Sequence, residues 1–221
     1  MKWNAWLSVG TLLLSAPVWC EDIGQVLHRS QQSRLDALPE APPQTPGAAA
    51  LRESFERLQR AGAPTAEVQL HVVAVGSIAE TLEGRVVVVN AALGELPEAC
   101  RLFLLAHELG HVKQMHWAKR IALYRQFIPG EVVQAETDAV AGDLGREASQ
   151  QAHQQEYEAD AYAMRMLLDL GYSRDELLDM FFHLGHYGDT ATHPSSARRL
   201  AQLRMIEEER SVAITTPARA P

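Results

Sequence analysis

At 221 residues, with 47% hydrophobic and 22% charged residues, the chain has the length and balance of one globular domain with short additions at its ends. Its formal charge of −8 argues against nucleic acid or an anionic membrane surface as the main partner. After the first twenty residues no apolar run is long enough to cross a bilayer, so no transmembrane span is expected in the mature chain.

The first twenty residues, "MKWNAWLSVGTLLLSAPVWC", place Lys2 before an apolar stretch from Ala5 to Ala16, then Pro17 and a short segment ending at Cys20. This is the pattern of a secretory signal peptide (residues 1–20) cleaved after Cys20, and it predicts a periplasmic protein. Lipidation of Cys20 would anchor the chain to a membrane instead, although Pro17-Val18-Trp19 makes a poor lipid-attachment signal. Cleavage leaves Cys100 as the one cysteine, so no internal disulfide is expected and Cys100 reads as a small buried hydrophobe.

Residues 21–50 are expected to form a short amphipathic helix, "IGQVLHRSQQSRLDAL", followed by the proline-rich linker or loop "PEAPPQTPGAAA". The main domain is expected over 51–209. A helical pattern resumes at Leu51, and two β-rich runs follow, Val68 to Val75 and Arg85 to Asn90, predicted to form a small antiparallel unit. The run "RVVVVN" reads either as a sheet edge that binds an extended peptide or as a strand buried on both faces. From Pro97 onward the pattern is helical. Pro97-Glu98 starts a helix, the alanine-rich stretch from Glu131 to Ser149 suggests no definite element, and Gln150 to Leu170 reads as a long helix. Ser173 and Glu176 make a capping box for another helix, and a last one runs from Ser195 to about Glu209, before a disordered tail over 210–221. The predicted fold class is α+β: mostly helices, with the sheet on the N-terminal side.

The chemistry concentrates in "LLAHELGHVKQMH", residues 104–116. On a helix His107 and His111 lie one turn apart on one face, so their imidazoles can converge on a single Zn²⁺. Glu108 is rotated away from the ligand direction, where it can reach a water at the metal and act as general base. His116 lies five residues past His111 without the glycine turn that a third ligand histidine would need, and is not expected to ligate. A third ligand is sought in "HQQEYEADAYAMRMLLDLGY", where Glu156 and Asp160 are again four apart: one can ligate while the other supports a ligand from behind.

The succession "HELGHVKQMH", "EYEADAYAMRMLLDLGY" and "THPSSARRLAQLR" resembles the HtpX and CAAX prenyl protease-like zinc metallopeptidases (peptidase family M48) over roughly Val68 to Leu203. It looks most like the soluble periplasmic LoiP, YcaL and BepA kind. The resemblance implies a zincin-type (gluzincin) fold and one Zn²⁺ per chain. It implies His107, His111 and Glu156 as metal ligands, Glu108 as catalytic base, and Asp160 as a support behind the ligands, with Glu158 not a ligand. Its His-Pro element falls on His193-Pro194, and its arginine on Arg199, with Arg198 as the neighbour able to substitute. His193 would either stabilise the oxyanion of the reaction or occupy the open metal position and hold the enzyme inactive. The expected activity is zinc-dependent endopeptidase cleavage of protein or peptide substrates, among them misfolded envelope proteins. The competing expectation is a chaperone or assembly factor with a silent or self-inhibited zinc site.

Overall fold

Asp22 opens helix α1 (Ile23–Asp36) with a reciprocal cap: its carboxylate accepts from the Gln25 N–H and its own N–H donates to the Gln25 side chain, both at 2.9 Å. The computed structural model describes residues 21–64, 68–76 and 79–215; the expected signal segment and residues 216–221 lie outside them. Helix α2 (Pro46–Arg60) starts before the predicted Leu51, because Pro46 suits a first helical turn and alanines follow it. Leu51, Phe55 and Leu58 are its buried face. The proline-rich run between these helices packs along the sheet. Ala41 is buried and its N–H donates to Val72 O at 2.8 Å, while the Ala74 N–H donates to Pro39 O at 3.1 Å.

Among the described residues three strands make one sheet, β1 (Gln69–Val73), β2 (Ala79–Leu82) and β3 (Val86–Asn90), in the order β1-β3-β2. The two β-rich runs of the sequence do not pair antiparallel as expected. β1 and β3 are parallel, with Gln69 opposite Val86, and the antiparallel partner of β3 is the unforeseen β2. "AETL" has none of the β-branched apolar run that marks a strand, so its pairing is set by the turn rather than by propensity. Glu83 and Gly84 both take positive φ, 53° and 68°, as a tight hairpin turn demands. Gly84 also makes room for Trp117, whose Cβ would stand 3.0 Å from any Cβ placed there.

The position of β3 decides between the two readings of "RVVVVN": the sheet edge is overturned and the strand buried on both faces is borne out. "RVVVVN" is the central strand, and its four valines are buried on both faces: Val87 and Val89 pack into the main core, Val86 and Val88 with Val73 and Leu82. The outer side of β1 is taken by residues 39–41, so the open edge of the sheet is β2.

The described residues then form the helices α3 (Glu98–Lys113), α4 (His116–Phe127), α5 (Gln134–Asp169), α6 (Arg174–Leu184) and α7 (Ser196–Thr215). The mostly helical α+β class is as expected. The stretch left without an element is the first half of the 36-residue α5. Its two glycines, Gly142 and Gly145, each cost about 1 kcal/mol against alanine in a helix. Packing offsets this, because Leu144 and Val140 join Ile23 and Ile128 in a small satellite core that ties α1, α4 and α5 together. Ser173 and Glu176 form the predicted capping box of α6. Helix α7 continues past Glu209, so residues 210–215 of the expected tail are helical. Among the described residues, no helix is long and apolar enough to cross a membrane.

The centre of the molecule is the contact of α3 with α5. Leu102, Phe103, Leu105, Ala106 and Leu109 are fully buried on α3, and Ala159, Ala163 and Leu167 on α5. Gly110 lets the two backbones approach: a Cβ there would stand 3.0 Å from Ala159 Cα and 3.1 Å from Ala159 O. That close approach sets the carboxylates of α5 against the histidines of α3. Cys100, buried in the same core, keeps its thiol pKa raised by burial, as befits a packing residue.

Candidate metal centre

His107 and His111 are on successive turns of α3, and Glu156 faces them from α5. One ligand atom from each of the three lies within 4.8 Å of the other two. His107 Nε2 stands 3.1 Å from His111 Nε2. The Glu156 carboxylate spans the pair, with Oε2 at 3.4 Å from His107 Nε2 and Oε1 at 3.3 Å from His111 Nε2. Donor atoms about 2.0–2.1 Å from a tetrahedral zinc are about 3.3–3.4 Å apart, so these edges have the right size.

The proton positions make the same point. His107 Nδ1 is 2.9 Å from Asp160 Oδ1, and His111 Nδ1 is 2.7 Å from His116 Nδ1. A proton on each Nδ1 serves those acceptors and turns two Nε2 lone pairs toward each other. Glu156 Oε2, buried, has no hydrogen-bond partner among the described residues. Facing lone pairs beside a buried carboxylate need a cation between them, and the donor set of two imidazoles and one carboxylate fits zinc. Burial opposes charge on His107, but Glu156 and Asp160 outweigh it and push its pKa up to about 10. The Glu156 carboxyl, which burial alone would raise, is held well below its usual range by His107 and His111.

Each histidine is held from behind. Asp160 is 1% exposed and is gripped by Arg199 from the start of α7, with Nε donating to Oδ2 at 2.7 Å and Nη2 to Oδ1 at 2.5 Å. Burial would raise the Asp160 pKa; Arg199 and His107 bring it below the ordinary value. Arg199 is the arginine that enters the site, whereas Arg198 points to Asp189 at 3.5 Å.

His116, set aside as a ligand, is buried and completes the second support. Met115 adopts a left-handed turn (φ 54°), which ends α3, starts α4 and folds His116 back under His111. Its Nε2 is 3.1 Å from Glu158 Oε2, which Lys119 also contacts at 3.2 Å. Burial, then His111, lowers the His116 pKa to about 4, so it is neutral near pH 7. A neutral His116 with its proton on Nε2 donates to Glu158 and accepts from His111 at Nδ1. The sequence showed these residues but not the turn that joins them.

Glu108 is buried beside the cluster on α3. The Thr81 hydroxyl of β2 lies 2.7 Å from Glu108 Oε2 and 3.0 Å from its backbone O, so the sheet edge fixes the carboxylate. Nothing in "AETL" announced Thr81. His193 sits on the loop between α6 and α7, with Nε2 3.7 Å from Glu156 Oε1 and a side chain 59% exposed. Thr192 Oγ1 is 2.9 Å from its Nδ1, and His153 Nε2 of α5 donates to Thr190 O at 2.7 Å, which ties the loop down. His107, His111, Glu108, Glu156 and His193 together line a cleft of about 240 Å³, walled on one side by β2.

Residues 74–207, more than half of the chain, match the model of Peptidase family M48. No curated protein matches the chain. The match covers β3, the α3 motif, the α5 carboxylates and the His-Pro loop in one span, and the chain belongs to peptidase family M48, a family of metallopeptidases.

Proposed function

We propose that this chain is a zinc-dependent endopeptidase of the bacterial cell envelope, of the soluble LoiP, YcaL and BepA-like branch, acting on misfolded envelope proteins. The convergence of His107, His111 and Glu156 beside Glu108 carries the reading. The envelope location rests on the character of residues 1–20 alone.

His107, His111 and Glu156 are the residues that would hold one Zn²⁺. When bound, it supplies a Lewis acid that polarises the scissile carbonyl and acidifies a water. Glu108, oriented by Thr81, takes a proton from the attacking water and later delivers it to the leaving amine. Asp160, clamped by Arg199, keeps the His107 proton on Nδ1 and its Nε2 lone pair free. The extended substrate lies along the open edge of β2, where backbone hydrogen bonds can add it to the sheet as a further strand. This role, first assigned to "RVVVVN", passes to β2 because β3 is central and the outer side of β1 is covered.

The test is cleavage of an unfolded protein such as casein by the zinc-loaded chain, abolished by a chelator and restored by zinc. His193 carries a second reading. Its contact with Glu156 suits a histidine that stabilises the oxyanion, and it equally suits one that closes the site, as a self-inhibited chaperone or assembly factor would need. His193→Ala, run beside the wild type, separates them: turnover falls in the first case and rises in the second.

The His111–His116–Glu158 chain gives a separate prediction. His116→Ala leaves His111 Nδ1 without its acceptor and is expected to weaken zinc binding by about 10–100-fold, as loss of an outer support does. Competition against a fluorescent chelator measures this. Unchanged affinity would show that His116 only packs.

A further inference from the structure

The cleft extends beyond the metal cluster, and its far end is built differently. There α1 contributes Gln31 and Arg34, β2 contributes Glu80, and α4 contributes Trp117 and Arg120. Helix α1 precedes the region matched to the family, so part of this wall comes from a segment outside that match. It is fastened to the hairpin of β2 and β3. Gln31 Oε1 accepts from the Glu83 N–H at 2.5 Å, His28 Nδ1 lies 3.1 Å from Glu83 Oε1, and Arg34 Nη2 lies 2.9 Å from Glu80 Oε1.

The charges of this end do not balance. Arg34 and Glu80 neutralise each other, whereas among the described residues no hydrogen bond or ion pair reaches the half-buried Arg120 guanidinium. Arg120 is four residues after His116 on α4, so both face the same way, about 6 Å apart along the axis. His116 touches the ligand His111. An extended peptide advances about 3.3 Å per residue, so Arg120, which lines the same cleft as the metal cluster, lies a few residues along the peptide from the bond to be cut. A guanidinium that has lost part of its water and meets no anion among the described residues is a ready fork for a carboxylate. The indole of Trp117, packed over the Gly84 turn, forms the apolar wall beside it.

We infer that Arg120 and Trp117, backed by α1, form a subsite that binds a carboxylate of the peptide substrate, either an acidic side chain or the chain's C-terminus. The inference rests on the peptidase reading, because it takes the occupant of the cleft to be a peptide.

The test uses zinc-loaded Glu108→Gln protein, which is expected to bind without cutting, and short fluorescent peptides carrying Glu, Gln or Lys at each position in turn. Each peptide is made with a free and with an amidated C-terminus. One position with Glu, or the free C-terminus alone, is expected to bind about tenfold tighter than its neutral counterpart, a typical worth for a partly desolvated ion pair. Adding Arg120→Gln brings that ratio near one, and Arg120→Glu swings the preference to Lys, a reversal that misfolding cannot produce. In wild-type turnover the same preference appears in KM rather than kcat. No carboxylate preference at any position, or one that survives Arg120→Gln, overturns the subsite. Cleavage without carboxylate preference defeats the subsite and leaves the peptidase reading intact. Carboxylate selection through Arg120 in a chain that cleaves nothing defeats the peptidase reading and keeps the subsite.

Discussion

Glu108→Gln is expected to lower kcat/KM on an unfolded protein by about 10³-fold, within the range that a positioned general base supplies. It should leave zinc content unchanged, because the metal-facing atoms belong to His107, His111 and Glu156. The glutamine keeps the shape of the side chain and can still accept from Thr81, so the α3–β2 contact survives. What disappears is the capacity to take a proton. Turnover by a metal-loaded, protease-free Glu108→Gln preparation at the wild-type rate would remove Glu108 from the mechanism.

Asp160→Asn is expected to destabilise the protein by about 3–5 kcal/mol, the usual result of breaking a buried ion pair from one side. The Arg199 guanidinium donates twice to the Asp160 carboxylate, and its other acidic neighbours in the site, Glu156 at 3.8 Å and Glu108, accept no hydrogen bond from it among the described residues. The amide supplies an N–H₂ where one of those oxygens accepted and leaves the charge of Arg199 buried with too little compensation. Urea unfolding of the two proteins at neutral pH measures the difference.

The same group sets a pH signature. Its folded pKa lies below the ordinary 3.8, so its stabilisation is complete above that value and is lost as pH falls through the folded value. The wild type should therefore lose stability below about pH 4 along a limb that Asp160→Asn lacks in part. Equal stability of the two proteins at neutral pH would mean that Asp160 bears no weight in the fold.

The chain shows how far a sequence carries a metal site. A helix fixes the spacing of neighbours one turn apart, so His107, Glu108 and His111 could be placed by counting alone. The same rule put Glu156 and Asp160 on one face of a helix but left open which of them meets the metal, because that depends on the rotation of α5 against α3. Gly110, which permits the close approach of those helices, reads in sequence as an ordinary residue of the motif.

His116 shows the limit from the other side. Its distance from His111 excludes it as a ligand on a continuing helix. The left-handed turn at Met115, a residue type that seldom adopts it, makes His116 a support instead. The sheet was misread for a related reason. Four valines in a row announce a strand but leave open whether it is an edge or buried on both faces, and the parallel pairing of β1 with β3 follows from β2, whose four residues have no strand signature. The open edge of β2 and the contact of its Thr81 with Glu108 depend on that hairpin, which "AETL" does not announce.

Metal-dependent proteolysis by the wild-type chain tests the central claim most directly. The protein, freed of metal with a chelator and then titrated with zinc, is followed by casein cleavage and by bound zinc measured on the same samples. The account predicts no cleavage without metal, one zinc per chain at saturation, and activity rising in step with occupancy. Cleavage that persists in the stripped protein, or full occupancy of the His107–His111–Glu156 cluster with no cleavage by either the wild type or His193→Ala, would contradict it.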